Sequence, residues 1–473
     1  MRRRHDLPDY PNDGAAGRSG TFQSPSAGGF IEPRHHAAER DTTGVTSRPT
    51  SGRHGLRWIE WFCVGAALFL FSGALFPLLQ AGPAGILTDG DRSSLRRLSL
   101  PIYALTVVLL IRRPALMGVA LRRNVPMLLL ILLPLVSAFW SISQTITLRR
   151  SVALLLSMGV AYLMATRFTP RQQILLLIPV LGGATLLSLI AAVALPHLAY
   201  MPDDHALRGI FLHKNVLGWV ASYTVMLGLA AQHDTMRGIR QAGWAMLGIG
   251  SVAVALSTSA TGLLSAMFGW SVFLSVRAIT RKQGMARITV KLALLVTAIA
   301  VFSALFIGLL PLLEFLGKDA TLTGRVPLWH LVDPEIVHRP LLGYGYGVFW
   351  SEANPVAWRI WEVSGWQAPH AHNGYRDLLL GVGSVGLVLF GLVTVRALRQ
   401  GTDLCSAEPR QGWLWCVATI GASLAMNLSE STFLMQNDLM WVLFATAVLT
   451  LSLRHAELKG RVPAHLRLQQ AAA

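Results

Sequence analysis

Charge and cysteine are both scarce in this chain of 473 residues. Only 14% of the residues are charged, against 53% that are hydrophobic, and the mean hydropathy is +0.48. This balance lies outside the range of ordinary soluble proteins. The three cysteines, Cys63, Cys405 and Cys416, are too few and too scattered for a disulfide framework. The length instead suits about a dozen membrane spans of roughly 20 residues each.

Acidic residues are scarce as well, since 24 Asp and Glu stand against 41 Lys and Arg. The basic residues lie between apolar segments rather than along one face, so membrane topology explains the excess better than nucleic-acid binding does. The predicted span interiors contain almost no ionisable residues, which argues against an ion-coupled pump or antiporter. A signal peptide is not expected either, because no apolar core follows Arg2–Arg4 within residues 1–55. Those residues are rich in Arg, Ser, Gly, Pro and His, and are predicted to be a disordered tail.

What is present is a series of apolar runs, which predicts an all-α polytopic membrane protein. Lipid requires every backbone polar group to be satisfied, and nothing in the sequence alternates as barrel strands do. About 12 transmembrane helices are predicted, at approximately 57–79, 97–112, 125–140, 149–166, 172–194, 213–231, 241–258, 260–277, 290–313, 376–396, 411–427 and 438–454. The predicted organisation is a cytoplasmic tail over 1–55, spans 1–9 within 56–313, a large extracytoplasmic loop over 314–375, spans 10–12 within 376–455, and a cytoplasmic tail over 456–473.

The distribution of Lys and Arg predicts the orientation. With the N-terminus in the cytoplasm, about 29 of the 41 Lys and Arg residues fall inside and about 12 outside, which matches the bias of cytoplasmic loops. Both termini are then cytoplasmic, and the loops over 195–212 and 314–375 face outward. Membrane proteins usually connect their helices with short loops, so the long polar loop is the predicted seat of function.

Three cations mark the predicted outer face: Arg208 and Lys214 near the entry of the sixth span, and Arg325 inside the long loop. Arginine pairs bidentately with phosphate and stays charged at physiological pH. Anchoring of a helix end to lipid headgroups is the simpler explanation for most outward arginines. That explanation is weaker for Arg325, which is close to Trp329 and far in sequence from any span end.

The run from His370 to Asn373 is open to several interpretations. His372 could be a solvated loop histidine or one bonded to a nearby carbonyl group, and Asn373 could cap the helix that follows. His370 and His372 could also be metal ligands, but no third ligand stands at a zinc-like spacing. The residues alone do not decide between these.

Two glycine-rich runs call for different interpretations. Residues 381–386 fit the pattern G-x-G-x-x-G, but they lie within an apolar span with no preceding strand, so helix packing by small residues explains them better than nucleotide binding. Residues 343–347, Gly-Tyr-Gly-Tyr-Gly, predict a bent or closely packed loop segment. Tyr344 and Tyr346, with nearby tryptophans, predict an aromatic surface that either lies at the membrane interface or stacks against sugars.

Four motifs together resemble the O-antigen ligase / Wzy-type polymerase superfamily, nearest to exopolysaccharide polymerases of the ExoQ kind. They are Arg-Gly-x-Phe-x-His-Lys-Asn-x-Leu-Gly (208–218), Thr-Gly-Arg (323–325) with Trp329, Pro-Leu-Leu-Gly-Tyr-Gly-Tyr-Gly-x-Phe-Trp (340–350), and Ala-His-Asn-Gly-Tyr (371–375). Each motif alone is weak, whereas all four in this order on one face are fairly specific. The resemblance covers most of the chain from residue 57 onward.

The resemblance implies transfer of an oligosaccharide from an undecaprenyl-diphosphate carrier onto an acceptor hydroxyl, at the outer face of the bacterial inner membrane and without metal or cofactor. Arg208 and Arg325 would stabilise the charge that develops on the diphosphate. His372 would be the base for the acceptor hydroxyl. The implied substrate-binding residues are Lys214, Trp329, Tyr344, Tyr346, His370 and Asn373.

The implied activity is that of a polysaccharide polymerase in exopolysaccharide or O-antigen biosynthesis. Its expected partners are the lipid-linked oligosaccharide, membrane lipids, a chain-length regulator and a flippase. A ligase that moves finished polysaccharide onto lipid A core or onto protein shares the donor chemistry, and only the Gly-Tyr-Gly-Tyr-Gly form favours the polymerase. A lipid-linked sugar flippase is a different class, which predicts polar residues lining the spans and internal symmetry, and neither is seen.

Overall fold

The computed structural model describes residues 51–74, 89–294, 296–297, 325–408 and 412–462. Most of the predicted tail over 1–55, most of the predicted ninth span over 290–313, Thr323 and Gly324 of the long loop, and the end of the chain after 462 lie outside the described residues. Within the described ranges the secondary structure is helical, apart from one antiparallel bridge between Tyr200 and Leu207.

The helices of these ranges are numbered here in chain order. They are α1 (Ser51–Phe71), α2 (Asp89–Ile111), α3 (Pro114–Arg123), α4 (Val125–Val136), α5 (Gln144–Arg167), α6 (Pro170–Leu177), α7 (Gly183–Ala194), α8 (Pro196–Ala199), α9 (Lys214–Ala231), α10 (Arg237–Ser257), α11 (Ala260–Thr280), α12 (Arg325–His338), α13 (Pro355–Ser364), α14 (Gly374–Ala407), α15 (Trp413–Met426) and α16 (Leu439–Leu458). A 3₁₀ turn, Ser137–Phe139, follows α4, and a π-helical turn, Ile178–Gly182, joins α6 to α7. Residues 284–294 are also helical.

Six described helical stretches are long and apolar enough to cross a membrane: α5, the continuous Pro170–Ala194, α10, α11, α14 and α16. A seventh is counted if residues 97–111 of α2 and α3, which meet at 94°, form one bent span. The chain is therefore an all-helical polytopic membrane protein in its described part, as predicted. The predicted spans over 125–140 and 411–427 are shorter apolar helices, and a total of about 12 spans stays a prediction.

The long loop, described from residue 325 to residue 373, folds into a packed unit against the start of α14. Its helix α13 begins after Asn354, whose side chain accepts a hydrogen bond from Val356 N, and ends at Gly365 in the left-handed conformation. The loop and α14 together bury an apolar cluster, which consists of Leu328, Val332, Tyr344, Val348, Phe349, Ala357, Ile360, Trp361, Ala368 and Leu380. Close packing of this kind fixes the positions of side chains that the loop carries.

Helix α14 is broken at Gly383, whose backbone angles are φ 68° and ψ −167°. A Cβ at this position would overlap the carbonyl group of Leu341, so only glycine fits. The sequence predicts helix packing for residues 381–386, and the structure corrects that interpretation: Gly383 interrupts the helix and a loop packs into the interruption. Beyond the break, Ser384 N donates to Pro340 O at 2.8 Å and Val385 N donates to Leu341 O at 3.3 Å.

The loop residues that fill the break form the glycine–tyrosine segment, Pro340–Gly347. Before the break, Tyr344 N donates to Leu380 O at 2.7 Å, and Gly345 N donates to Gly381 O at 3.1 Å. The segment thus replaces hydrogen bonds that the helix cannot make for itself. Irregular backbone is tolerated in a membrane protein where other parts of the protein satisfy it in this way.

The other edge of the glycine–tyrosine segment is held by residues around the start of α5. Ser137 Oγ accepts from Tyr346 N at 2.9 Å, and Thr147 Oγ1 donates to Tyr346 O at 3.1 Å. Trp140 Nε1 donates to Leu342 O at 3.0 Å. The segment is therefore fixed on both edges, between α14 and the connection from α4 to α5.

Candidate active site

Glu430 lies in the turn between α15 and α16 and is only 2% exposed. Arg325 Nη2 is 2.8 Å from Glu430 Oε1, and Asn215 Nδ2 donates to the same oxygen at 3.3 Å. His372 Nδ1 lies 3.4 Å from Glu430 Oε2, at ion-pair distance but outside hydrogen-bond geometry. Residues far apart in the sequence therefore converge on one buried carboxylate. We call Asn215, Arg325, His372 and Glu430 the carboxylate cluster.

Glu430 remains ionised in this position. Burial alone would raise its pKa, but the contact with His372 and the charge of Arg325 outweigh burial and hold the pKa of the carboxyl below its ordinary value. A buried carboxylate needs such partners, because an isolated buried charge is very costly. The cluster is thus a site in which one negative charge is matched by cationic and hydrogen-bonding groups.

His372 is oriented by its backbone and by its neighbours. It has a positive φ of 50°, which is uncommon for a residue other than glycine. Its backbone N–H donates to His370 Nδ1 at 3.2 Å, and the two imidazole rings are 4.1 Å apart. Since Nδ1 of His372 faces the carboxylate, Nε2 is the ring nitrogen directed away from it.

His370 is held as a neutral ring beside His372. Burial lowers the pKa of His370 to about 3, the charges of His372 and Arg325 act in the same direction, and Glu430 opposes them. At neutral pH His370 therefore adds no positive charge to the cluster. Its contribution is a packed ring and a hydrogen bond to the backbone of its neighbour.

The turn that carries the histidines is fixed on one side by Trp329 and Arg376. Trp329 Nε1 donates to Ala371 O at 2.8 Å. The guanidinium group of Arg376 stacks on the Trp329 ring at 4.5 Å and pairs with both oxygens of Asp333, at 2.7 and 2.9 Å. Trp329, predicted to bind substrate, is here a support for the backbone next to His372.

On the other side, Asp377 receives hydrogen bonds from three separate groups. Trp350 Nε1 donates to it at 2.7 Å, Ala371 N at 3.0 Å, and Ser431 Oγ also donates to it. Ser431 follows Glu430 directly in the sequence. Asp377 therefore couples the histidine turn to the turn that carries Glu430.

Asn373 begins α14. Its Oδ1 accepts from Tyr375 N at 3.1 Å and from Arg376 N at 3.0 Å, while its Nδ2 donates to Leu428 O at 3.0 Å. This is the capping alternative left open by the sequence, extended by a bond to the neighbouring turn. Substrate binding by Asn373 stays a prediction, and its bonds show that both ends of its amide are already engaged.

Arg208 and Lys214 are not bonded to the carboxylate cluster in the part of the chain that the structure describes. Arg208 is 5% exposed, and its Nε donates to Leu198 O at 2.9 Å. Lys214 forms an ion pair with Asp204. Asn215, which follows Lys214, is the residue of this motif that reaches Glu430.

Tyr344 and Tyr346 are buried rather than displayed. Tyr344 Oη donates to Glu335 Oε2 at 2.8 Å, and Tyr346 Oη donates to Gln436 Oε1 at 2.9 Å. The expected aromatic surface is therefore not formed by these two rings, because burial of a tyrosine is favourable when its hydroxyl finds a partner.

Glu430 is the functional candidate that the sequence analysis missed. The signal was Ser429-Glu430-Ser431-Thr432, a polar run in a short turn between two apolar segments. Arg325 is 105 residues away from it in sequence, so no local spacing joins them. Among the described residues, no group of three or more His, Cys, Asp or Glu is arranged to hold a metal ion.

Comparisons with known proteins confirm the predicted resemblance. Residues 244–391 match the family Wzy_C, described as O-Antigen ligase. The match contains Arg325 and His372 and ends before Glu430. The chain is also 29% identical, over 297 residues, to the exopolysaccharide production protein ExoQ of Rhizobium meliloti (strain 1021), which covers 61% of this chain and 68% of that protein.

Proposed function

From the match of residues 244–391 to the O-antigen ligase family, we propose that this protein is a polysaccharide polymerase. It transfers an oligosaccharide from an undecaprenyl-diphosphate carrier onto a hydroxyl of an acceptor repeat unit, in exopolysaccharide or O-antigen biosynthesis. The observation that carries the proposal is the convergence of Arg325 and His372 on the buried Glu430. The cluster offers a base and a cation at one place, as the reaction requires.

In the proposed reaction the acceptor oxygen forms a bond to the anomeric carbon of the donor sugar, and the bond from that carbon to the diphosphate breaks. The hydroxyl proton passes to Nε2 of His372, and Glu430 stabilises the imidazolium that results. The leaving diphosphate takes the bonding electrons and gains negative charge.

Arg325 is suited to that leaving group. One of its nitrogens is paired with Glu430, and the planar guanidinium has further N–H groups for phosphate oxygens. Charge stabilisation of this kind is strongest where donors are already in place. Arg208 is proposed as a second diphosphate ligand. It does not contact Glu430 in the described part of the chain, so the two would be connected through the bound lipid-linked substrate. Positive charge then comes from arginine, and no metal is required.

The proposal includes the orientation in the membrane that was inferred from the distribution of Lys and Arg residues. The carboxylate cluster would face the outside of the bacterial inner membrane, with about 12 spans in all and both termini in the cytoplasm. A flippase would supply the lipid-linked repeat units, and a chain-length regulator would act on the polymer.

A ligase that moves finished polysaccharide onto lipid A core, or onto protein, is the second candidate. The description of the matched family as O-antigen ligase favours it, whereas the printed name of the relative, an exopolysaccharide production protein, favours the polymerase. The two differ in the acceptor, and the carboxylate cluster serves either. A lipid-linked sugar flippase is the least supported, because it has no need of a base.

The test is a strain that lacks this gene, complemented with Arg325→Ala, Arg208→Ala or His372→Ala and scored for polymer length. All three variants are expected to lose long polymer, with His330→Ala as a matched control because His330 is an exposed histidine of the same loop. Single repeat units on the carrier indicate a polymerase, and finished carrier-linked polymer with bare lipid A core indicates a ligase. Normal long polymer in all three variants contradicts the catalytic assignment.

A further inference from the structure

A cavity of about 130 Å³ opens beside His370 in the described part of the chain. It lies between the break in α14, the glycine–tyrosine segment and the turn that follows Ser431. Its polar lining consists of Arg150, His370, Asp377, Ser431 and Gln436. None of the roles proposed above for the carboxylate cluster uses this cavity.

The size of the cavity limits what it can hold. A cavity of about 150 Å³ can hold one benzene ring, and this cavity is of similar volume and is open on one side. That is enough for one six-membered sugar ring with its hydroxyl groups, and too little for a chain of several sugars. A lipid tail would need a longer and wholly apolar groove.

The lining matches a neutral sugar. Arg150 and Asp377 bring one charge of each sign, and His370 is neutral because burial lowers its pKa to about 3. The amide oxygen of Gln436 already accepts from Tyr346 Oη, and its NH₂ group can donate to a sugar hydroxyl. Trp350 and Phe433 add aromatic carbon to the wall, against which the C–H face of a sugar packs.

The position of the cavity connects it to the proposed base. His370 lines the cavity, and its ring is 4.1 Å from that of His372. Ser431, on the same wall, follows Glu430 in the sequence. A sugar ring bound in the cavity contacts His370 and therefore lies close to His372, the proposed acceptor of the hydroxyl proton.

We propose that this cavity is the subsite for the terminal sugar of the acceptor, and that the sugar is a neutral hexopyranose. The proposal rests on the proposed function, because it assigns the sugar beside His372 to the acceptor rather than to the donor. It also names the residues that select the acceptor, which the carboxylate cluster does not do.

Gly381 allows a direct test, because it lines the cavity and has free space around it. A Cβ at Gly381 would meet nothing closer than Tyr346 Cα at 3.8 Å. Gly381→Leu therefore places a side chain in the cavity with little strain. Gly391→Leu is the matched control, since Gly391 belongs to the same helix and a Cβ there would meet nothing within 4 Å.

The probes are methyl hexopyranosides of several configurations and one methyl hexuronide, with binding to the full chain in nanodiscs followed by saturation-transfer NMR. At least one neutral pyranoside is expected to bind the wild type and Gly391→Leu, and to lose its signal in Gly381→Leu. Gln436→Leu, which keeps the side-chain volume, is expected to weaken binding roughly five- to tenfold through the lost hydrogen bond. No binding by the wild type, preference for the hexuronide, or an unchanged signal in both Gly381→Leu and Gln436→Leu overturns the proposal.

The His372→Ala variant separates this proposal from the proposed function. It should still bind the pyranoside, at most about tenfold more weakly through the lost hydrogen bond to the acceptor hydroxyl, because His372 does not line the cavity. If His372→Ala still makes polymer while Gly381→Leu loses sugar binding, the catalytic assignment fails and the subsite stands. If His372→Ala is inactive and binding is unaffected by Gly381→Leu, the reverse holds.

Discussion

The carboxylate cluster, of which the sequence marked Arg325 and His372, and the glycine–tyrosine segment use their polar groups in opposite ways. In the cluster, side chains from distant segments meet at Glu430, and this carboxylate does not use His372 Nε2 or the rest of the Arg325 fork. In the segment Pro340–Gly347, the backbone groups are already hydrogen-bonded to α14 and to residues around the start of α5. The difference teaches that a motif rich in functional residue types acts on a substrate only where its donors and acceptors are not already used by the fold.

The largest effect expected on the glycine–tyrosine side is that of Gly383→Ala. The backbone conformation at 383 is strained for alanine, and the Cβ overlaps the carbonyl of Leu341, so a loss of about 3 kcal/mol in stability is expected. The unfolding midpoint in detergent, followed by tryptophan fluorescence, measures it. Gly391→Ala, in open space on the same helix, should leave the midpoint nearly unchanged. Equal midpoints for the two variants would remove the structural role assigned to the break.

On the cluster side, Glu430→Gln is expected to lower the transfer rate roughly 10- to 100-fold, as loss of an orienting carboxylate does. The amide keeps the shape and can still bond Arg325 or Asn215, but it no longer stabilises a charged His372. Polymer formation by purified protein in liposomes gives the rate. Glu430→Asp should recover part of the activity because it restores the charge. An inactive Glu430→Asp with an unfolded spectrum would indicate a purely structural role instead.

Tyr346→Phe tests the same comparison between the two regions, with a smaller expected effect. The substitution removes a hydroxyl that donates to Gln436 and to Leu434 O, which should cost about 1 kcal/mol of stability. The transfer rate at saturating substrate should be unchanged, since the hydroxyl is already hydrogen-bonded within the protein. A large fall in that rate with normal stability would move Tyr346 from the supporting region to the reacting one.

The smallest effect expected is a pH dependence that originates at His370. Its pKa is lowered from 6.5 to about 3 in the folded protein, so between these values the unfolded chain binds a proton that the folded chain does not. Stability therefore falls as the pH drops below 6.5. The lowered pKa of Glu430 acts only in more acidic solution, below 4.5. The ring is half-buried, and water reduces the effect.

The measurement for His370 is the unfolding midpoint of wild type and His370→Gln at neutral pH and at about pH 5, which lies between the folded and unfolded pKa values of His370. The glutamine variant should lose less stability on acidification than the wild type. Identical losses would mean that His370 is protonated as freely in the folded chain as in the unfolded one.

Much of the helical framework was predictable, because apolar runs report burial in lipid whatever they pack against. The predicted span over 241–258 corresponds to α10 (Arg237–Ser257), and that over 149–166 to α5 (Gln144–Arg167). The sequence also singled out Arg325 and His372. Glu430 was not predicted because its significance comes from contacts with residues that are distant in the sequence. Arg325, for example, is 105 residues away. The burial of Tyr344 and Tyr346 escaped because a tyrosine suits a membrane interface, a sugar face and a protein core alike.

The break in α14 has a consequence for the order in which the chain is assembled. The peptide groups around Gly383 are completed by Pro340–Gly347, and those residues precede Gly383 in the chain. During synthesis the partner has therefore already emerged when the interrupted helix is made. The helix need not wait in lipid with bare peptide groups, which would be costly there. A circular permutant that starts at residue 374 and ends at residue 373 would reverse this order, and should insert poorly although its sequence content is the same.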